Sequence, residues 1–384
     1  MLSNHWRCVL TGLGCVAIAF VWQFLTVHFN YDGRWNALFS TGQNFPQPPA
    51  LSSERLFVFP GPGYDGEMYH YIAHDPFLRR GFSKYMDAPA LRYRRILIPF
   101  GAYVLALGRD EWVDGAYIGI ILLAIFCGGY WLSLYFSRAG FGAALGLAFL
   151  LIPATLTSID RMTVDVGLAA LCIAFVLLVA HQSRGRLYAV LAAAMLVRET
   201  GLLLIVGYVL WLLWTRHFRS ALFFSTAAIP ALAWYAFIEF NLKPRQVSAF
   251  SLIPFRGLAE QFANPYHYAF PSWIAAFATV LDYAALAGVV LAIAFAIRMA
   301  WERLAGPIEF SVYCFAVLAV FLYAPGAWRE VYAFGRTLSP LLVLLALYGV
   351  SKRQWIGLLP LLLIVPRTAI QLAPQAIGIF RKIF

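Results

Sequence analysis

The sequence predicts an all-α polytopic membrane protein with about eleven transmembrane helices, and two observations support this. First, 62% of the 384 residues are hydrophobic and only 12% are charged, whereas a soluble domain is nearer half apolar and a quarter charged. Second, the apolar residues fall into repeated runs close to the length that a helix needs to cross a bilayer. We therefore expect a single membrane-embedded unit over residues 1–384.

The charge balance supports the same class of protein. The formal charge of +11 arises from 29 basic and 18 acidic side chains. In a membrane protein such an excess indicates topology and contact with anionic lipid. The basic residues are scattered among the apolar runs and form no soluble basic face, so we expect no nucleic-acid partner.

The predicted spans follow the apolar runs in chain order. They cover residues 8–27, 112–136, 141–157, 163–180, 187–197, 200–214, 222–240, 273–297, 310–323, 338–350 and 356–372. Arg198 and Glu199 separate the fifth and sixth runs. Because a charged pair within one span is costly, we expect two short helices that meet at this pair.

Two long loops interrupt the predicted spans. Residues 28–107 form the first, with an irregular Pro-, Ser- and Gly-rich part, a short interfacial helix at 67–73, and an apolar run at 96–107. That run is too short to cross and is predicted to be buried or re-entrant. Residues 241–272 form the second loop and include Lys243 and Arg245. With a cytoplasmic N-terminus, most basic residues of the short turns are cytoplasmic, so both loops are predicted to face outward.

This topology gathers the unusual polar residues on the outer face. Asp65 is followed by Gly66, which is expected to let the backbone turn tightly and expose the carboxylate. Other charged residues lie in the loops or at span ends, where charge is costly unless it is paired or lines a polar cavity. These candidates are Asp32, Arg92, Arg94, Arg95, Asp160, Arg161, Asp165, Arg198, Glu199 and Arg336.

The chemistry of this set fits sugar transfer from a phospholipid donor. A carboxylate base, here Asp65, would deprotonate the acceptor hydroxyl, and arginines would neutralise the departing phosphate through bidentate contacts. Structural roles are equally open. The loop is then a solvated connection, its arginines anchor to anionic headgroups, and Asp165 is a helix N-cap. Arg198 with Glu199, and Asp160 with Arg161, are then simple ion pairs.

A metal site is a weaker alternative. Glu67, His70 and His74 share one face if this segment is helical. The surrounding residues match no known zinc pattern, however, so no cofactor is expected and a divalent metal stays the minor reading.

Four segments in this order resemble bacterial membrane proteins of the GT-C glycosyltransferase superfamily. They are YDGEMYHYIAHDPF, APALRYRRILIPFGAYVLALG, SIDRMTVDVGLAAL and LVRETGLLLIVGYVLW, within residues 60–215. The sequence is similar to members with a YDGQFY-like first-loop motif and a downstream RET motif. The resemblance implies a large first extracytoplasmic loop with juxtamembrane helices and an acidic catalytic residue. It also implies a polyprenyl-phosphate-linked hexose or pentose as donor.

The resemblance assigns roles to particular residues. Asp65 matches the catalytic base best, and Asp32, just after the first span, is the second candidate. Arg94, Arg95 and Arg198 would bind phosphate or shape the site. One departure from the family pattern is a glutamate, at position 67, where glutamine is common.

The resemblance thus implies a glycan-biosynthesis enzyme of the cell inner membrane, active on its periplasmic or extracellular face. Its partners would be a polyprenyl-phosphate sugar, membrane lipids and an unknown acceptor. Two other functions stay open. A lipid or glycan transporter is favoured by the helix break near Arg198, and a non-catalytic GT-C-like scaffold would bind other membrane proteins in a complex.

Overall fold

The structure is a computed structural model that describes residues 2–181, 183–242, 250–268, 271–323 and 325–383. Within these residues the chain is predominantly α-helical, which confirms the all-α prediction. The α-helices are α1 (Leu2–Asn30), α2 (Asp65–His74), α3 (Pro89–Arg94), α4 (Leu97–Leu105), α5 (Asp110–Arg138), α6 (Pro153–Arg161), α7 (Asp165–His181), α8 (Arg184–Val197), α9 (Leu202–Trp214), α10 (Phe218–Ser225), α11 (Ile229–Asn241), α12 (Arg256–Ala263), α13 (Ser272–Trp301), α14 (Pro307–Phe321), α15 (Pro325–Arg329), α16 (Val331–Ser351), α17 (Leu359–Ala369) and α18 (Ala373–Ile383).

Short elements connect these helices. The 3₁₀ segments are Trp35–Phe39, Pro49–Glu54, Phe82–Tyr85, Ala143–Leu151, Glu199–Gly201, Thr226–Ala228, Trp355–Leu358 and Ile370–Leu372. Two short strands, β1 (Thr41–Gly42) and β2 (Val58–Phe59), pair in parallel with Thr41 opposite Val58. They fold the segment between α1 and α5 back on itself.

Several long apolar helices indicate a membrane protein. In the described part of the chain, six helices are long and apolar enough to cross a bilayer. They are His5–Asn30, Asp110–Arg138, Phe218–Asn241, Ser272–Trp301, Val331–Ser351 and Trp355–Ile383. A bent pair, Ala143–Leu151 with Pro153–Arg161, makes a seventh if it counts as one span. The predicted number of about eleven is therefore not confirmed.

The difference in number has a physical reason. Several predicted spans form helices of 17 residues or fewer, including α7 and α14. At 1.5 Å per residue, such a helix is about 26 Å long or less, below the roughly 30 Å of a bilayer core. The central helix α7 is buried on all sides over most of its length. The sequence of such a buried helix is apolar on every face whether or not the helix crosses the bilayer.

The segment between α1 and α5 is folded into the protein. The helix predicted at 67–73 is present as α2, and its residues 66–74 are all buried, so this part of the segment is not a solvated loop. The nine-residue helix α4 packs near α2 and α5. Its length of about 14 Å is too short to cross, in agreement with the prediction.

Gly66 has a different role from the one expected. It lies inside helix α2, so it forms no tight turn. A Cβ atom at this position would overlap the backbone carbonyl oxygen of Arg161 and lie 2.9 Å from that of Phe39. The glycine therefore allows α2 to approach the end of α6 closely, and the adjacent carboxylate of Asp65 is buried rather than exposed.

The predicted break at Arg198 is confirmed. Helix α8 ends at Val197, Arg198 is extended, and Glu199 begins a 3₁₀ segment that leads into α9. The second predicted loop contains α12 in its described part. Lys243 and Arg245 lie outside the described residues.

Candidate functional site

Charged side chains from four parts of the chain meet in one largely buried group, the aspartate–arginine cluster, in which Asp87 and Glu199 are partly exposed. Its members are Asp65, Asp87, Arg92, Arg95, Asp165, Arg198, Glu199 and Arg336. The sequence predicts all of these as site residues except Asp87. The cluster therefore joins α2, α3, the start of α7, the α8–α9 junction and α16.

Asp65 lies at the centre of the cluster. It is the first residue of α2, where the positive end of the helix dipole favours a carboxylate. One of its oxygens, Oδ2, accepts hydrogen bonds from Arg92 at 2.8 Å and from Arg336 at 2.5 Å. Burial alone would raise the pKa of Asp65, but the guanidiniums of Arg336, Arg92 and Arg95 outweigh it and hold that pKa far below its usual range. The carboxylate is thus ionised.

Arg336 links two helix N-termini. While its Nη2 contacts Asp65, its Nη1 lies 3.2 Å from Oδ2 of Asp165, the first residue of α7. Asp165 is also ion-paired with Arg198, which donates a further hydrogen bond to the hydroxyl of Thr337 at 2.9 Å. Asp165 thus binds two arginines, which corrects the alternative that it is simply an N-cap.

Arg95 and Glu199 form a second centre next to this chain of contacts. The guanidinium of Arg95 donates to both carboxylate oxygens of Glu199, at 2.8 and 2.6 Å, and to the hydroxyl of Tyr69 at 2.7 Å. Arg198 is paired with Asp165 instead. The alternative that Arg198 and Glu199 pair with each other is therefore wrong, because each residue pairs with a different helix.

The formal charges of the cluster cancel. The carboxylates are Asp65, Asp87, Asp165 and Glu199, and the guanidiniums are Arg92, Arg95, Arg198 and Arg336. Asp87 contributes by accepting two hydrogen bonds from Arg92, at 3.0 and 2.8 Å. Burial lowers the pKa of Arg92, but the carboxylates of Asp65 and Asp87 more than compensate, so its pKa is raised and it stays charged.

Some donors in the cluster have no acceptor. In the described part of the chain, the buried Nε atoms of Arg198 and Arg336 and the hydroxyl of Tyr64 make no hydrogen bond. A buried donor without a partner costs about 1–3 kcal/mol. Such groups need an explanation, and an anionic ligand with several acceptor oxygens would supply one.

Four predicted site residues lie outside the cluster: Asp32, Arg94, Asp160 and Arg161. Arg94 is half-buried and ion-paired with Glu239 of α11. Asp32 is in an exposed turn, with its carboxylate 3.8 Å from Arg34 and 3.9 Å from Lys382. Among the described residues, neither forms a hydrogen bond or ion pair with Asp65, so neither belongs to the cluster.

Asp160 and Arg161 form a separate pair at the end of α6. Arg161 Nε lies 2.9 Å from Asp160, which also accepts hydrogen bonds from Gln375 at 2.9 Å and Tyr332 at 3.3 Å. Arg161 also donates to the hydroxyl of Ser40. These contacts satisfy the pair and join α6 to α16 and α18, which agrees with the structural alternative.

The predicted triad of Glu67, His70 and His74 does not form. The Glu67 carboxylate accepts hydrogen bonds from the backbone N–H of Gly42 at 3.0 Å and from the hydroxyl of Tyr71 at 2.8 Å. Burial raises the pKa of this carboxyl group, although those two hydrogen bonds oppose the effect. Glu67 therefore holds β1 against α2 and is not among the residues whose ligand atoms converge on the two histidines.

The histidines instead face two carboxylates that the sequence analysis missed. Glu54 and Asp114 lie next to His70 and His74. A signal for one of them was present, because Asp110 and Asp114 are four residues apart at the start of a predicted span. They match the four-residue spacing of the histidines. Glu54 lies in an irregular segment and gave no such signal.

An apolar groove lies beside α1. It has a volume of about 520 Å³ and is lined by Ile18, Ala19, Trp22, Ala148, Leu151 and Ile159, among others. Ile159 is next in sequence to Asp160, so one end of the groove adjoins the polar end of α6. Such a groove suits a hydrocarbon chain.

Comparisons of the chain with protein-family models, with curated proteins and with solved structures found no match. Any function must therefore be argued from the arrangement of these side chains.

Proposed function

We propose that the protein is a membrane glycosyltransferase of the GT-C type that transfers a sugar from polyprenyl phosphate to an acceptor hydroxyl. The observation that carries the proposal is the aspartate–arginine cluster. A carboxylate between several guanidiniums combines a proton acceptor with groups that stabilise a departing phosphate. On the predicted topology, the cluster faces the extracytoplasmic side of the inner membrane.

The GT-C-like architecture belongs to the same proposal. About eleven crossings would consist of the six long helices, the bent pair and the shorter helices α7, α8, α9 and α14. Shorter helices can cross where the bilayer thins locally. The segment between α1 and α5, with α2, α3 and α4, would be the first extracytoplasmic loop.

The donor phosphate would bind at the donors that lack a partner. The Nε atoms of Arg198 and Arg336 and the hydroxyl of Tyr64 would donate to phosphate oxygens. Arginine suits phosphate because its planar group presents donors in pairs. The isoprenoid chain would lie in the apolar groove beside α1, one of whose lining residues, Ile159, is in the last turn of α6. The carbonyl of Arg161 at the end of that helix lies against Gly66, the residue after Asp65.

The reaction would use Asp65 as the base. The acceptor oxygen attacks the anomeric carbon, its proton passes to Asp65, and the bond from the anomeric carbon to the phosphate oxygen breaks. The electron pair of that bond leaves with polyprenyl phosphate. An efficient base has a pKa near the working pH, whereas the arginines hold the pKa of Asp65 far below it. A phosphate that draws Arg336 or Arg92 away from Asp65 would therefore raise this pKa and strengthen the base.

A second candidate function is a non-catalytic scaffold. The observation in its favour is the cancelling charge of the cluster, since ion pairs that satisfy one another need no ligand. A lipid or glycan transporter is a third prediction, and the helix break at Arg198 is its only support.

The first test is binding of polyprenyl phosphate, the lipid product that transfer from any of these donors would release. Purified protein in nanodiscs is titrated with undecaprenyl phosphate, and binding is followed by native mass spectrometry. We expect the wild type to bind and Arg336→Gln to bind at least tenfold more weakly. Transfer is then measured with a panel of polyprenyl-phosphate hexoses and pentoses. Asp65→Asn should fold and bind the lipid but lose transfer, while Asp32→Asn, a matched change in an exposed turn, should keep it.

Each other outcome selects a different conclusion. Full transfer activity of Asp65→Asn would show that another group is the base. Failure of the wild type to bind undecaprenyl phosphate would favour the scaffold. Movement of a labelled lipid across proteoliposomes without sugar transfer would favour the transporter.

A further inference from the structure

A second group of titratable side chains lies where α2 meets the segment ending at Glu54 and the start of α5. It consists of Glu54, His70, His74 and Asp114, here called the histidine–carboxylate cluster. Each residue offers one ligand atom, and the four atoms all lie within 4.8 Å of one another. Both histidine side chains are buried.

The distances between these atoms fit one small cation. His70 Nε2 lies 2.6 Å from Asp114 Oδ1 and 3.1 Å from His74 Nε2. The Glu54 carboxylate lies 3.8 Å from His70 Nε2 and 3.5 Å from His74 Nε2. Four ligands that surround zinc tetrahedrally at about 2.0–2.1 Å are roughly 3.3 Å apart. The observed separations lie on both sides of that value, so little movement would be needed.

The surroundings orient His74 as a ligand. Its Nδ1 lies 2.7 Å from Asp110 Oδ1. Arg80 in turn donates to both oxygens of Asp110, at 2.6 and 2.9 Å. An imidazole that donates its Nδ1–H to a carboxylate presents the Nε2 lone pair to the opposite side, which is the usual arrangement around metal-binding histidines.

The negative charge around the histidine–carboxylate cluster also favours a bound cation. Both oxygens of Glu54 are buried and, among the described residues, make no hydrogen bond. Glu54, Asp110 and Asp114 bring three negative charges, and Arg80 is the one guanidinium in hydrogen-bond contact with any of them in the part of the chain described. With both histidines in the neutral form that metal ligation requires, the formal charges of Glu54, Asp110, Asp114 and Arg80 sum to two negative charges, which one divalent ion would neutralise.

We propose that the histidine–carboxylate cluster binds one divalent transition-metal ion, with zinc as the preferred ion. Imidazole nitrogens and carboxylate oxygens are both zinc ligands. Four protein ligands leave no open position, as in structural sites. The ion would tie the segment ending at Glu54, helix α2 and the start of α5 together. This inference is independent of the proposed glycosyl transfer.

The test measures zinc directly. The full-length protein is purified without a histidine tag, stripped with a chelator, dialysed against Zn²⁺ and analysed by inductively coupled plasma mass spectrometry. We expect about one zinc per chain, and loss of stoichiometric binding in His74→Gln and Asp114→Asn. Asp110→Asn removes the carboxylate that pairs with His74 and Arg80 but no ligand atom, and should weaken binding about 10- to 100-fold. Glu111→Gln, an exposed change in the same helix turn, is the matched control and should bind like the wild type.

A second readout guards against misfolded variants. Co²⁺ in a tetrahedral nitrogen and oxygen site absorbs visible light, and the wild type and Glu111→Gln should show this absorption while Asp114→Asn should not. Zinc should also raise the thermal midpoint of the wild type but not that of His74→Gln. The proposal is overturned if the wild type takes up no zinc, or if folded His74→Gln and Asp114→Asn both retain one zinc per chain.

Discussion

Replacement of Arg336 by glutamine tests whether one guanidinium joins α2 to α7. Arg336 contacts Asp65 at 2.5 Å and Asp165 at 3.2 Å, and its side chain is only 9% exposed. Breaking a buried ion pair costs about 3–5 kcal/mol because a charge is left without compensation. In this variant Asp65 would still be ion-paired with Arg92, and Asp165 would still be ion-paired with Arg198. We therefore expect the lower end of the range, about 3 kcal/mol.

The change can be read from thermal unfolding of the purified protein. With an unfolding entropy of about 2.1 cal/mol/K per residue, 3 kcal/mol corresponds to a fall in Tm of about 4 °C for a chain of this length. The matched control is Arg298→Gln. Arg298, near the end of α13, is largely exposed and pairs with Glu302, the residue that follows this helix, so its replacement should leave the Tm unchanged.

A double-mutant cycle with Asp165→Asn shows whether the effect arises from the pair. The double variant should lose less stability than the two single variants lose together, and the difference, the coupling energy, should be about 0.5–3 kcal/mol. If Arg336→Gln shifts the Tm no more than Arg298→Gln, or if the two changes simply add, the bridge between the helices is not a stabilising contact.

Three further predictions concern packing, pH and the groove. Gly66→Ala should lower the free energy of unfolding by about 3 kcal/mol, the upper end for overpacking, because the added Cβ meets the rigid backbone oxygen of Arg161. The control is Gly115→Ala, where an added Cβ meets nothing within 4 Å and should raise the Tm slightly. The pKa of Asp65 is lowered on folding, so its stabilising contribution is present above the unfolded pKa of about 3.9 and lost as the pH falls further. The Tm difference between the wild type and Asp65→Asn should accordingly be constant near neutral pH and shrink below about pH 4; a difference independent of pH would contradict this. Ala148→Trp should fill the groove and weaken undecaprenyl phosphate binding in the mass-spectrometric titration without lowering the Tm, and unchanged binding would remove the groove from the proposal.

The sequence predicts best those features that depend on local composition. Apolar runs identify the fold class, and the shortness of 96–107 predicts a helix that cannot cross. The cost of a charged pair in a span predicts the break at Arg198. These arguments need only neighbouring residues, which is why the structure agrees with them.

Pairing partners could not be predicted in the same way. Asp65 and Arg336 are separated by 271 residues, and no periodicity in the sequence connects positions so far apart. The local rule suggested Glu67 as the partner of His70 because both lie on one helix. In the structure the carboxylates beside His70 come from other elements, at Glu54 and Asp114. Packing of distant helices thus decides which charges meet.

The arginines around Asp65 constrain the order of any reaction at this site. The same guanidiniums would bind a phosphate and hold the carboxylate in its least basic state. A single arrangement cannot serve both needs, because an arginine that already donates to Asp65 has fewer donors for phosphate. The donor would therefore have to bind first. Its phosphate oxygens would replace Asp65 as the hydrogen-bond acceptor of Arg336 or Arg92. The carboxylate of Asp65 would then have fewer positive charges beside it. Only then would burial raise the pKa enough for Asp65 to take the acceptor's proton, so an acceptor bound without donor should not be deprotonated.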